Sequence, residues 1–218
     1  MDEHIKQIIK ENLRNSIRRF FKKSKKIKYQ VLDDIFPNER RIRSLVGGLE
    51  TSLGTTFWEP IAKTLAEING FKIIPEKILV PNPFPQVLQK ELDKLVHERE
   101  NKPNQCIIPT EECIKRLKNT ALKTNPQDII QYIYPPKGTG VDIHLFKDGV
   151  NYLFDIKTTQ PNLGDFKKFN KQMLEWFAYS LAKNPDANLE ARIAIPFNPF
   201  PKPWYEEQKS KLSYLVLL

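Results

Sequence analysis

Apolar residues recur at helical spacing near the start of the chain. Ile5, Ile8, Ile9, Leu13, Ile17 and Phe20 fall three or four positions apart and predict one amphipathic helix over residues 3–23. A second helical region is predicted over 40–69, from Leu45, Leu49, Leu53, Ile61, Leu65 and Ile68. Gly54 and Pro60 interrupt it, so a kink or two consecutive helices are expected. "KIIPEKILV" reads as strand-like segments broken by Pro75. Further amphipathic helices are predicted over 86–99 and 111–122, separated by the proline-rich connectors "PNPFP" and "PPKG" from what surrounds them.

The pattern then changes period. "GVDIHLF" and "VNYLFDIKT" are strands joined at Lys147-Asp148-Gly149, and Asp-Gly is a strong hairpin signal. "DFKKFNKQMLEWFAYSLAKN" is a helix, with Asp165 as its N-cap and Phe166, Phe169, Met173, Phe177 and Leu181 on one face. "ARIAIPF" is another strand, and the stiff loop "NPFPKPWYEE" and an apolar end, "YLVLL", follow it. An antiparallel hairpin followed by a helical crossover implies an α/β core, a β-sheet of mixed strand direction flanked by helices, behind a mainly helical N-terminal portion. No internal repeat is visible. At 218 residues the chain has room for one domain with a helical addition. The expected division is a basic helical extension at 1–44, a core at 45–200 and a tail at 201–218.

Charge narrows the partners. The formal net charge is +9 and the pI is about 9.4, values typical of an electrostatic footprint for nucleic acid. Arg18 to Lys28 holds seven basic residues and no acid, which suits either phosphate contacts or a solvated helix end. Two cysteines, Cys106 and Cys113, and the scattered His4, His97 and His144 lack zinc-ligand spacing. Two cysteines in this length do not make a disulfide framework, and a reducing, cytoplasmic setting is expected. Nothing in the N-terminal stretch has the apolar run of a signal peptide, and no segment approaches the roughly 20 apolar residues of a membrane span.

Asp/Glu-x-Lys triplets include Asp155-Ile156-Lys157, Asp165-Phe166-Lys167 and Glu207-Gln208-Lys209. Only the first has an opposing acid. A two-residue turn at Asp148-Gly149 sets Lys147 against Val150 and places Asp142 across from Asp155. Alternation puts Asp142, Asp155 and Lys157 on one face, with Val141, Ile143, Leu145, Tyr152, Phe154 and Ile156 on the opposite, core face. Two like charges face to face are destabilising and need a cation, an ammonium group or a raised pKa. Carboxylate oxygens with waters and substrate phosphate are what Mg2+ prefers. Lys157, two residues from a ligand, is placed to steady a phosphate or a water. The alternative is a surface ion-pair network.

"GVDIHLFKDGVNYLFDIKTT" resembles the signature of the PD-(D/E)XK nuclease superfamily, with Asp142, Asp155 and Lys157 in the motif positions and Val141 where proline is usual. Chain size, the helical N-terminal portion and the "NPF" after the last strand resemble type II restriction endonucleases, over about residues 45–200. The resemblance implies a Mg2+-dependent endonuclease cutting double-stranded DNA to leave 5′-phosphate ends. It adds the Ile156 carbonyl to the metal ligands. "GTTFWEPIAKTLAEINGF" resembles the family helix that supplies a further glutamate, pointing to Glu59, although Thr56-x-x-Glu59 also reads as a capping box. Glu50 is the rival ligand. Nine residues apart, the two lie about half a turn out of phase. Two-fold site symmetry implies a homodimer. Lys167, Lys168, Lys171 and Gln172 lie away from the apolar stripe of their helix and, with Asn198 and Lys202 on the stiff loop, are candidate DNA contacts. His144 reads as a structural, hydrogen-bonded residue, and Trp176 and Tyr179 as core or interface. A structure-specific repair nuclease of the same fold, or a DNA-binding protein without catalysis, are the competing readings.

Overall fold

Asp148 and Gly149 both adopt positive φ, 49° and 80°, the backbone that a two-residue hairpin turn requires. They join β4 (Ile143–Lys147) to β5 (Val150–Ile156) in antiparallel register, with Lys147 paired to Val150 and Ile143 to Phe154. The computed structural model describes residues 2–23, 29–101, 108–158 and 163–196. After β5 the chain crosses through α6 (Leu163–Lys183) and returns as β6 (Leu189–Ala194), parallel to β5. The short strand β1 (Lys72–Ile73) pairs antiparallel with β4 and completes a mixed sheet of order β1-β4-β5-β6. This is the mixed, helix-flanked sheet that the hairpin and crossover predict.

Helices cover both faces of the sheet. On one face α6 presents Phe166, Phe169, Met173, Leu174, Trp176, Phe177 and Leu181 to Val141, Leu153, Leu189 and Ala191. The helices α4 (Gln86–Asn101) and α5 (Thr110–Ala121) back it with Leu88, Leu92, Leu95, Cys113 and Leu117. On the other face Ala62 and Ala66 meet Ile143, Leu145, Tyr152, Phe154 and Ile156 in a smaller cluster. The larger core therefore lies on the face that carries Asp155, not on the face of Ile143 and Phe154. Val141 joins the larger core because regular pairing ends at Ile143 and alternation does not extend past it. α6 begins at Leu163, so Asp165 sits inside the first turn rather than at the N-cap. A second, two-stranded sheet pairs β2 (Val80–Asn82) with β3 (Gln131–Ile133), a strand without a clear sequence signal.

The expected break near Gly54 and Pro60 is a π turn. α1 (Glu3–Lys22) packs on α2 (Pro37–Leu53), which runs without interruption through a π-helical turn at Gly54–Trp58 into α3 (Glu59–Ile68). Pro60 has no N–H to give the carbonyl four residues earlier. The Glu59 N–H bonds instead to the Gly54 carbonyl, five residues back. The Thr56 carbonyl is taken by the hydroxyl of buried Ser16 from α1, at 2.7 Å. The Thr56 hydroxyl bonds back to the Ser52 carbonyl at 2.7 Å, so no capping box forms at Glu59. π turns of this kind are frequent at functional sites. No helix among the described residues is long and apolar enough to cross a membrane.

Candidate active site

The acid pair forms where the hairpin ladder ends. Beyond Ile143 the chain bends, and the Asp142 N–H reaches the Phe154 carbonyl at 2.9 Å. The Asp142 carboxylate then folds back and accepts the Ile156 N–H at 2.8 Å, taking the place of a main-chain carbonyl. Asp142 is thus pinned beside Asp155 by its side chain, one step past the last regular pair. On β5, backbone alternation sends Asp155 toward α6. It is 4 % exposed, with Lys157, Gln172 and Asp142 as its polar neighbours. Lys157 Nζ lies 2.6 Å from Asp155 Oδ2, and Gln172 Nε2 donates to the same oxygen at 3.3 Å. The Lys157 ammonium also stands over the Phe169 ring, 5.2 Å from its centroid.

Burial dominates the electrostatics. Desolvation pushes the Asp155 carboxyl up to about 6, against the pull of Lys157 and with a smaller push from Asp142. Glu59, at the start of α3, is also raised, first by desolvation and then by the charge of Asp142, while Lys63 and Lys77 oppose the shift. One cavity of about 380 Å³ is lined by Glu59, Lys77, Asp142, Asp155, Ile156 and Lys157, with Thr51, Gly54, Thr55 and Thr158 at its wall. Glu50 is elsewhere, in a separate groove on α2 with Ile42, Arg43 and Val46. Among the described residues, no three His, Cys, Asp or Glu side chains are gathered closely enough to enclose a metal ion by themselves. Two carboxylates with main-chain oxygen and open space beside them still suit Mg2+, which is usually held through one or two carboxylates, waters and substrate phosphate.

A neighbouring cleft shares Gly138 and Lys157 with this cavity and is lined by Lys168, Lys171, Gln172 and Glu175. Lys168 and Lys171 are exposed there, and Lys171 pairs with Glu175 at 3.8 Å. Lys167 is half-buried on the same helix. Gln172 departs from the expectation of an outward face: it is buried and bonds Asp155 and the Gly140 carbonyl, because the apolar face of α6 is wider than one stripe and reaches round to it. Trp176, fully buried, donates to the Thr139 carbonyl at 2.9 Å and holds the 138–140 loop against the site. His144 is structural, its ring nitrogens bonded to the Glu76 carbonyl and the Asn151 side chain. Asn198 and Lys202, the loop that carries them, the tail at 201–218 and residues 24–28 of the basic run lie outside the described residues. Sequence reasoning passed over Lys77, which sits in an irregular connector between β1 and β2 where no periodicity marks it.

A family model described as "HinfI: Type II restriction endonuclease, HinfI" matches residues 1–215 of the chain. No curated protein and no solved structure matches it.

Proposed function

The chain belongs to the HinfI family of type II restriction endonucleases, and from that premise we propose that the cavity between α3 and the β4–β5 hairpin is its phosphodiesterase centre. The family's activity is Mg2+-dependent, site-specific cleavage of double-stranded DNA. The observation that carries the assignment is the convergence of Asp142, Asp155 and Lys157 in one cavity, with the Lys157 ammonium 2.6 Å from Asp155.

Asp142, Asp155 and the Ile156 carbonyl would hold the cation, with Glu59 completing the site from the wall formed by α3. The ion, when bound, neutralises charge on the scissile phosphate and lowers the pKa of water beside it. Asp142 is kept rigid for this task by the Ile156 N–H. Gln172 fixes the Asp155 carboxylate against α6 and so orients its remaining lone pairs toward the cavity. Lys157 positions the attacking water and faces the phosphate as negative charge builds. The water oxygen forms the new P–O bond, the P–O3′ bond breaks, and a proton ends on the 3′ oxygen. The products are a 5′-phosphate and a 3′-hydroxyl. Lys168 and Lys171, exposed in the adjoining cleft, track the DNA backbone, and Lys167, Asn198 and Lys202 extend the contact. Two copies related by a two-fold axis cut the two strands of a symmetric site.

The test is digestion of plasmid and phage-length DNA by purified protein, with Mg2+ and with EDTA, followed by end mapping. Discrete fragments with 5′-phosphate ends are expected only with the metal. A smear, cutting confined to branches or free ends, or unchanged digestion by the Asp142→Asn or Lys157→Ala protein defeats the reading.

A further inference from the structure

We infer that the outward face of α2 is a self-complementary dimer interface, with a second copy of this chain as its occupant. The inference rests on the two-fold reading above and names the surface that would build it. α2 is 17 residues long, yet none of its residues is buried. Isolated helices of that length are marginal in water, and most helical stability in proteins comes from packing an apolar face. Here Ile42, Leu45 and Val46 stand 63 %, 43 % and 47 % exposed. Phe21, Tyr29, Val31, Leu32, Ile35 and Phe36, just before it in the chain, are exposed as well, so apolar exposure concentrates in this region.

The groove on α2 is lined by Glu39, Ile42, Arg43, Val46, Gly47 and Glu50. Glu39, Arg43, Val46 and Glu50 follow one another at four, three and four residues, the spacing of a helix-packing seam. Gly47 lies in the helix interior, where glycine is a poor choice, and a Cβ there would meet nothing within 4 Å. Its missing side chain is therefore not required by any contact among the described residues. It does allow the backbone of another helix to approach closely.

Charge order selects the partner and its direction. Arg43 and Glu50 lie equally far from the midpoint between Val46 and Gly47, about 5 Å each way at a rise of 1.5 Å per residue. An antiparallel second copy centred there brings Arg43 level with the partner's Glu50 and Glu50 level with the partner's Arg43. Val46 then fills the gap over the partner's Gly47. A parallel copy would set arginine against arginine and glutamate against glutamate. A segment that pairs with its own reversed image needs no other partner, and the resulting two-fold is the isologous symmetry of a closed dimer. Because α2 continues into α3, this contact would tie together the two Glu59 walls of a dimer.

The experiment is sedimentation equilibrium of the full chain at micromolar concentration, with circular dichroism to check folding. Wild type is expected to be dimeric and Val46→Glu monomeric. Arg43→Glu and Glu50→Arg, each alone, are expected to weaken self-association by on the order of tenfold or more. Mixing those two proteins should restore dimers, since every pair in the mixed species is again of opposite sign. This rescue keeps the test decisive if Val46→Glu fails to fold. A wild type that stays monomeric, whatever else covers α2, overturns the inference, as does a dimer indifferent to both charge reversals or a mixture no tighter than its components. Plasmid cleavage separates this inference from the nuclease reading: a monomer that cuts sinks the interface alone, and an α2-mediated dimer that never cuts sinks the nuclease alone.

Discussion

Asp155→Asn should make the metal-free protein more stable at pH 8 while abolishing cleavage. The Asp155 carboxyl is held near 6 against an ordinary 3.8, chiefly because burial disfavours its ionised form. A group whose folded pKa is raised keeps its proton in the native state after the unfolded chain has lost it. Stability therefore falls as pH rises from about 3.8 to about 6 and is lower by a constant amount above that window. That amount is about 3 kcal/mol at 1.36 kcal/mol per pKa unit. Asparagine has nearly the same shape and no charge at any pH, and it can still accept from Gln172. Lys157, partly exposed, keeps access to water when its partner is neutralised.

Urea denaturation in EDTA, followed by far-UV circular dichroism, reads the difference directly. The variant should gain about 3 kcal/mol at pH 8 and about half of that at pH 5. For a chain of this size the gain at pH 8 corresponds to a melting temperature higher by roughly 6–12 °C. Added Mg2+ should raise the stability of wild type and leave the variant nearly unmoved. A variant less stable than wild type at pH 8, or a gap that does not change with pH, would refute the picture of a charge held under strain for a cation.

Other outcomes follow from the same geometry. Asp142→Asn and Lys157→Ala should each lower single-turnover cleavage by on the order of 10²–10³-fold, with folding unchanged by circular dichroism. Glu59→Gln should reduce cleavage by about tenfold or more and shift the Mg2+ concentration needed for half-maximal rate upward, which a titration of rate against Mg2+ checks. Gln172→Met should lower kcat about tenfold with little change in KM, because it releases the Asp155 carboxylate without touching DNA; an effect confined to KM would mark it as a DNA contact instead. Ser16→Ala should cost about 1–3 kcal/mol in urea denaturation, since the Thr56 carbonyl then has neither this hydroxyl nor an N–H from Pro60.

What the sequence by itself determined lies where conformation is local. Asp148-Gly149 specified the hairpin because few other residues tolerate positive φ at both positions. Pro60 announced a break because its nitrogen carries no hydrogen, whatever surrounds it. The turn set the register that brings Asp142 level with Asp155, and alternation put Asp155 and Lys157 on one side of β5, so these three could be named from the sequence; that Asp142 lies past the last regular pair, held by the Ile156 N–H, could not. The β2–β3 pair joins segments about fifty residues apart, and nothing within either segment encodes the other. The sequence pointed to Glu59 with Glu50 as its rival; the continuous helix through the π turn separates them, turning Glu59 into the cavity and Glu50 to a different groove. Gln172 looked solvated until α6 settled on the sheet and the deeper core formed on the Asp155 side. Local rules act through bonds and dihedrals a few residues long. The identity of a wall, a second partner for a carboxylate and the burial that raises Asp155 arise only when distant elements exclude water from between them.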